Sequence, residues 1–260
     1  MNSKARLLRR IVNAIGWRVM GTITHVSTHD PVVALTFDDG PHPDTTPRLL
    51  DILEKHQARA TFFMVGEAVH RHPEIVREVA QVGHAIGNHS WDHPSFPLIT
   101  RRERLSQIRQ CARAISPYGR RLFRPPYGHQ SKASRFDALW LGYRVVTWSI
   151  VAYDWLDHDA DWIIDLIMNQ IQPGSIILLH DALYHTVEAR YTDRRPTLDA
   201  VSGLLEQLGN RYSFVTIPEL LRRGQPQLTF WYRAGDPDWL NQLSAQVNQP
   251  RYYLKGSIGK

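Results

Sequence analysis

The run Ser175-Ile176-Ile177-Leu178-Leu179-His180-Asp181 joins four consecutive apolar residues to two ionisable ones. It shows no alternation of polar and apolar positions, which marks a strand buried on both faces, as in a parallel sheet covered by helices. Val32-Val33-Ala34-Leu35-Thr36-Phe37-Asp38-Asp39-Gly40-Pro41 repeats the pattern: an apolar strand, a pair of acids, then residues that force a turn. Working outward, Thr61–Val65, His84–Gly87, Leu122–Arg124, Tyr143–Ser149 and Tyr212–Thr216 are further strand candidates.

Helical patterns lie between these strands. Thr45 is placed to cap a helix running to His56, and Pro73 opens one that Gly83 ends. Thr100 caps a charged amphipathic helix reaching about Ser116. Pro196 opens another, whose apolar face includes Leu198, Val201, Leu204, Leu205 and Leu208 before Gly209. Asp157, Asp159 and Asp161 solvate a loop and cap a helix beginning near Trp162. Repeated strand–helix alternation predicts the α/β class, an irregular (β/α) barrel of about seven parallel strands.

The 260 residues are 43% hydrophobic and 22% charged, an ordinary balance for a folded domain. Cys111 is the single cysteine, so no disulfide framework exists. No apolar stretch approaches the roughly 18 residues that span a bilayer. Of the net charge of +6, residues 1–20 contribute +5, through Lys4, Arg6, Arg9, Arg10 and Arg18. The remainder is close to neutral, so no nucleic-acid partner is expected.

Three organisational units follow: a basic arm over 1–30, a catalytic domain over 31–224 and an aromatic-rich extension over 225–260. In the arm, Leu7, Leu8, Ile11, Val12, Ile15 and Val19 recur at helical spacing among arginines. That pattern suits a helix packed on the barrel, membrane-surface contact through residues 4–19, or a poor signal peptide. Localisation is accordingly read as cytoplasmic or peripheral at the membrane surface, with export by an unobvious signal left open. The extension holds Phe230, Trp231, Tyr232, Trp239, Tyr252 and Tyr253, read as a strap over the barrel or as a surface for stacking sugars or contacting another subunit.

Catalytic groups of an α/β barrel sit where strands end. Here the strand ends lead to Asp38-Asp39, to Asn88-His89-Ser90-Trp91-Asp92-His93, to Arg124-Pro125-Pro126-Tyr127-Gly128, to Asp154-Trp155 and to His180-Asp181. These groups would converge on one mouth. His89 and His93 are four apart, so a helical turn would bring both imidazoles to one side. Two histidines and one carboxylate form a catalytic divalent-metal set that leaves positions open. Taken singly each feature has a bland alternative, such as a capped turn at Asp38 or a surface ion pair at Arg124.

The segment from about Pro31 to Arg223 resembles the polysaccharide deacetylase family, carbohydrate esterase family four or NodB homology domain. T-F-D-D-G-P, H-S-x-x-H, R-x-P-Y and L-L-H-D occur in the family's order. The resemblance implies a divalent metal on Asp39, His89 and His93, zinc first, with cobalt, nickel or manganese as alternatives. It implies Asp38 as general base, His180 as general acid tuned by Asp154, and Arg124 orienting the base. The backbone N–H of Tyr127 would serve an oxyanion, and Trp155 with Leu178 would bound an acetyl pocket. One departure stands out: Val151 replaces the first acid of the family's D-x-x-D-W motif, which puts the support of Arg124 in question.

The implied activity is N-deacetylation of an N-acetylated oligo- or polysaccharide or glycolipid, with that glycan as partner. Hydrolysis of a small non-sugar amide and an inactive carbohydrate-binding role are the alternatives. Nothing in the sequence sets the oligomeric state.

Overall fold

The computed structural model describes Gly16, residues 20–186 and residues 189–233. Within it the apolar runs become strands β1 (Thr22–Ser27), β2 (Val32–Asp38), β3 (Thr61–Met64), β4 (Ala85–Asn88) and β5 (Gly119–Phe123). The series continues with β6 (Arg144–Val145), β7 (Ile150–Val151), β8 (Ile176–His180), β9 (Ser213–Phe214) and β10 (Gln225–Thr229). Helices α1 (Thr45–Lys55), α2 (Gly66–Arg71), α3 (Pro73–Gln81) and α4 (Arg101–Ala114) alternate with them. Helices α5 (Lys132–Trp140), α6 (Ala160–Met168), α7 (Arg195–Leu208) and α8 (Ile217–Leu220) follow.

Seven parallel strands form one curled sheet in the order β6-β5-β4-β3-β2-β8-β7, and β9 pairs with β2. Both edges of the sheet come from one short stretch of chain. Val146 donates to the Phe123 carbonyl on one side, and Ser149 donates to the Ile176 carbonyl on the other. Of the expected strand Tyr143–Ser149 only Arg144–Val145 is strand, β6; the chain then crosses to β7, which begins just past Ser149 and forms the opposite edge of the curled sheet.

Strand alternation sorts the core into two layers. Leu35 and Phe37 of β2 and Ile177 and Leu179 of β8 point outward, against Leu49 and Leu53 of α1 and Val201 and Leu204 of α7. Ala34, Ile176 and Leu178 point into the barrel with Phe63, Leu122 and Trp148. By the same parity Asp38 and His180, the last residues of β2 and β8, belong to the interior set.

Two local expectations change. Helix α1 begins at Thr45, so Asp44 and not Thr45 takes the N-cap position, and it makes no side-chain capping bond. Thr100 does cap α4, in a capping box with Glu103. Strands β1 and β10 form an antiparallel ribbon, Thr22 opposite Thr229, joining residues assigned to the arm and the extension. The Ile23 carbonyl accepts from the Thr147 amide, so the ribbon lies over the barrel seam. Beyond β10, Trp231 packs edge-on against Trp148 at 5.3 Å and donates to the Gly128 carbonyl. The membrane-contact arm, apart from Gly16, and Trp239, Tyr252 and Tyr253 lie outside the described residues.

Candidate active site

The parallel register brings the strand ends to one rim. Asp38 is opposite His180 across β2 and β8, Asp38 is opposite Phe63 across β2 and β3, and Asn88 is opposite Phe123 across β4 and β5. Base and acid candidates, 142 positions apart in the chain, are thus neighbours on adjacent strands.

One residue past Asp38, Asp39 takes a left-handed backbone conformation (φ 76°), which sends its carboxylate toward the histidines rather than along the strand. Asp39 Oδ1 lies 3.1 Å from His93 Nε2 and 3.4 Å from His89 Nε2, and the two imidazole nitrogens are 3.2 Å apart. Separations of this size match the edges of a tetrahedral site with bonds of about 2.0–2.1 Å. Asp39 Oδ1 is buried and accepts no hydrogen bond among the described residues. The donor chemistry also fits a cation. Burial alone would raise the Asp39 pKa, but the His93 and His89 imidazoles hold its carboxyl well below the usual carboxylate range. Burial lowers the His93 pKa despite Asp39, favouring the neutral ring that has a lone pair to offer. His89 Nδ1 donates to the Arg124 carbonyl at 2.7 Å, leaving Nε2 as its ligating atom. Among the described residues, Asp39, His89 and His93 are the group of metal-ligating side chains found together.

The histidine pair does not arise from a helical turn, as its spacing suggested. Residues 89–95 form a loop in which Ser90 (φ 70°) and His93 (φ 59°) are left-handed. Gln107 of α4 holds that loop, accepting from the Trp91 and Asp92 amides and donating to Asp92 Oδ1 at 2.7 Å. Asn88 Oδ1 accepts the Ser90 amide, and His93 N–H donates to Ser90 Oγ. Reading the spacing alone could not identify Gln107 as the loop's support.

Arg124 is wholly buried, not a surface ion pair. Its guanidinium lies 4.1 Å from the centre of the Phe63 ring. It donates to Asp38 Oδ1 at 2.7 Å, Thr36 Oγ1 at 2.8 Å, the Thr147 carbonyl at 2.8 Å and the Val146 carbonyl at 3.3 Å. The absent acid at Val151 therefore leaves no gap in its support. Val151 instead pairs with Leu178 and packs in the interior apolar cluster.

On the other side of the rim, Asp154 Oδ1 accepts from His180 Nδ1 at 2.9 Å and Asp154 Oδ2 from the His180 amide at 2.8 Å. Arg194 and Thr197 also donate to Asp154 Oδ2, at 3.5 and 3.2 Å. Burial alone would lower the His180 pKa, but Asp154 foremost, with Asp39 and Asp38, outweighs it and the net shift is upward. Trp155 meets the His180 ring edge-on at 5.1 Å and shares an apolar cluster with Leu178. Tyr127 sits in a left-handed turn (φ 59°) with its ring 4.3 Å from that of His93.

Several supporting residues escaped the sequence reading. Tyr184 donates its backbone N–H to Asp39 Oδ2 at 3.0 Å, and its hydroxyl bonds to Glu67. Asp181 accepts from the Gly40 amide at 3.2 Å and from the Thr46 hydroxyl at 2.5 Å. A Cβ on Gly40 would lie 2.1 Å from the Asp181 carboxylate, so the turn after Asp39 requires glycine. Asp181 itself stood in the sequence reading, as a strand-end group and in L-L-H-D; its hold on the turn after Asp39 is what escaped. His42 accepts the Asp44 amide within its own turn, and His70 and His185 are exposed.

Known proteins share this arrangement's sequence and fold. A family model described as polysaccharide deacetylase matches residues 25–146. The chain is 36% identical over 199 residues to the peptidoglycan-N-acetylmuramic acid deacetylase PdaC of Bacillus subtilis, covering 75% of this chain and 40% of that protein. It thus spans less than half the length of that relative. It is 38% identical over 167 residues to the chitooligosaccharide deacetylase of Azorhizobium caulinodans, covering 63% of this chain and 80% of that one. The Bc1960 peptidoglycan N-acetylglucosamine deacetylase, solved with a naphthalenyl N-oxidanyl-benzamide, superposes with a TM-score of 0.71 at 31% identity, covering 78% of this chain and 94% of that one. With ordered motifs gathered at the rim of a curled parallel barrel, and two of these three relatives matched over most of their own length, the chain belongs to the polysaccharide deacetylase family, carbohydrate esterase family four.

Proposed function

We propose that this chain is a divalent-metal-dependent hydrolase that removes N-acetyl groups from the sugars of an N-acetylated oligo- or polysaccharide or glycolipid. The observation that carries the reading is the buried triangle of Asp39 Oδ1, His89 Nε2 and His93 Nε2 beside the cross-strand pair Asp38 and His180. Asp39, His89 and His93 would hold the cation, zinc or a related ion. When bound, such an ion polarises an acyl oxygen and acidifies water.

The chain's own residues divide the proton work. Arg124 engages Asp38 Oδ1, which leaves Asp38 Oδ2, 3.6 Å from His89 Nε2, to take a proton from the attacking water. His180 has Nδ1 tied to Asp154, so Nε2 is the atom that gives a proton to the departing amine. Trp155 and Leu178, which share an apolar cluster, would wall the acyl methyl, and the Tyr127 backbone N–H would donate to the developing oxyanion. The named activities of the relatives, on peptidoglycan and chitooligosaccharides, support a glycan over a small amide as substrate. Exposed Tyr153, 5.4 Å from Trp155 between ring centres, supports the same choice by offering a stacking face. A sugar-binding protein without turnover would have no use for both Asp38 and His180.

The test is acetate release from chitooligosaccharides and peptidoglycan, with bound metal measured by mass spectrometry. Asp38→Asn is expected to keep metal and lose about 10²–10⁴ in rate. His89→Ala should lose both. Undiminished acetate release by Asp38→Asn overturns the base assignment. Absence of acetate from every glycan, with metal retained, overturns the activity.

A further inference from the structure

The near-neutral sum outside the arm conceals a separation of charge. Residues 101–144 contain eleven arginines and lysines against Glu103 and Asp137, a net +9. With the arm's +5 also set aside, everything else sums to −8.

The fold turns this segment into a surface. Helices α4 and α5 pack side by side on the barrel, α4 against β4 and α5 against β6, whose neighbour in the sheet is β5. On α4, Arg102, Arg109 and Arg113 are exposed and fall within one narrow stripe at 3.6 residues per turn. Beside it, Arg120 and Arg121 of β5 and Arg144 of β6 are also exposed. None of these six forms an ion pair with a carboxylate among the described residues. Of the two acids in the segment, Asp137 is buried and committed to Arg101 and Arg104, while Glu103 caps its own helix.

Exposed apolar side chains lie on α5 and just before α4. Trp140 is 66% exposed, Phe136 45% and Leu98 49%. Phe136 and Trp140 are one turn apart on α5, with ring centres 6.4 Å apart. Leu98 precedes α4 in a short turn packed on α5. Large aromatics left in water amid unpaired arginines suit the boundary of an anionic bilayer, where rings enter the headgroup layer and guanidinium groups meet phosphates. Duplex nucleic acid would use the charge and leave the rings exposed. The chain also enters the barrel here: Arg135 of α5 donates to the Gly21 carbonyl at 2.8 Å, and Tyr232 donates to that of Met20. Met20 and Gly21, which follow the five cations of the arm in sequence, are thus held beside α5 and Tyr232.

We infer that the α4–α5 face is a docking surface for an anionic lipid bilayer, with Arg102, Arg109 and Arg113 as electrostatic contacts and Trp140 and Phe136 as interfacial anchors. The surface is separate from the catalytic rim and does not rest on the deacetylase reading.

The experiment is co-sedimentation of the full chain with vesicles of phosphatidylglycerol and phosphatidylethanolamine (1:3), and with phosphatidylcholine alone. The full chain should bind the anionic vesicles and not the neutral ones. The triple variant Arg102→Glu/Arg109→Glu/Arg113→Glu should lose roughly 100-fold in partitioning, from about a tenfold or smaller contribution per cation near the surface. Trp140→Ala should lose several-fold even at high salt, where charge is screened. Circular dichroism and acetate release from soluble chitooligosaccharides report folding, because the substituted positions are exposed and outside the site. Wild-type partitioning by the folded triple variant overturns the proposal, assigning any binding to residues 1–20. Equal binding to neutral vesicles overturns it too, as does tight binding to duplex DNA with none to vesicles.

Discussion

Arg124 is where structure and chemistry depend most on one side chain. Arg124→Met keeps an unbranched apolar stem over Phe63 but removes four donated hydrogen bonds. The Val146 and Thr147 carbonyls lose a donor each in a buried site, at about 1–3 kcal/mol apiece. Asp38, 3% exposed, loses its cation, and breaking a buried pair from one side costs roughly 3–5 kcal/mol. A loss of at least about 5 kcal/mol overall is expected, and at roughly 2–4 °C per kcal/mol for a domain of this size Tm should fall by at least about 10–20 °C. The assay is guanidinium unfolding followed by tryptophan fluorescence, run as a double-mutant cycle with Asp38→Asn. If the cost lies in the stranded carboxylate, Asp38→Asn should restore at least about 2 kcal/mol when added to Arg124→Met while destabilising the native chain. Additive effects, within about 0.5 kcal/mol, would refute the claim that Arg124 and Asp38 are energetically one unit. Arg124→Lys keeps charge without the fork and is expected between the two.

Three further outcomes follow from the same geometry. Asp154→Asn removes the main influence raising the His180 pKa, so the alkaline limb of the rate profile, where His180 gives up its proton, should move to lower pH; a limb that stays in place would separate Asp154 from the acid. His84 accepts the Ala60 amide and is pushed by burial and Arg59 down to about 4. Its neutral form is held at no cost above pH 6.5, but between 6.5 and 4 the unfolded chain takes up a proton the native one does not, so stability should fall with pH by roughly 3 kcal/mol in total. His84→Gln should flatten that slope in guanidinium titrations at pH 7 and pH 4.5, and an unchanged slope would remove His84 from the account. Gln107→Ala, which frees the loop carrying His93, is expected to weaken metal affinity about 10–100-fold with little loss of Tm, read by competition with a chromogenic chelator; unchanged affinity would reduce Gln107 to packing.

How much of this was legible beforehand depended on where each signal resided. The parallel strands were plain because burial on both faces leaves apolar runs such as Ile176–Leu179 and Val32–Leu35. Asp38, Asp39, His89, His93, Arg124, Asp154 and His180 were readable because a parallel barrel puts every strand's end at one rim. Ribbon strands β1 and β10 were not, since Thr22–Ser27 finds its partner some 200 residues later and neither segment is strongly apolar. The support of Arg124 was misjudged for a related reason. Two of its acceptors are the backbone carbonyls of Val146 and Thr147, and a carbonyl leaves no residue type to read. An alteration at Val151 looked consequential only while side chains alone were counted. The net charge misled similarly, because summing the body hid +9 in residues 101–144 against −8 elsewhere.

Backbone conformation adds a last constraint on how such a site can be built. Six non-glycine residues have positive φ: Asp39, Gln57, Ser90, His93, Tyr127 and Tyr153. Five of them lie in loops at the catalytic rim, and Asp39 and His93 are candidate ligands themselves. Each such conformation costs of order 1–3 kcal/mol and persists only where its surroundings over-determine it. The over-determination is visible in side chains reaching up from regular elements: Gln107 from α4 to the His93 loop, Asp181 from the end of β8 to the turn after Asp39, and Arg124 from the end of β5 to Asp38. A straight continuation of each strand would carry Asp39 and His93 past one another. The left-handed turns fold them back onto a common point, and the barrel beneath, with fully buried Phe37, Phe62 and Leu35, supplies the stability that lets the rim remain strained.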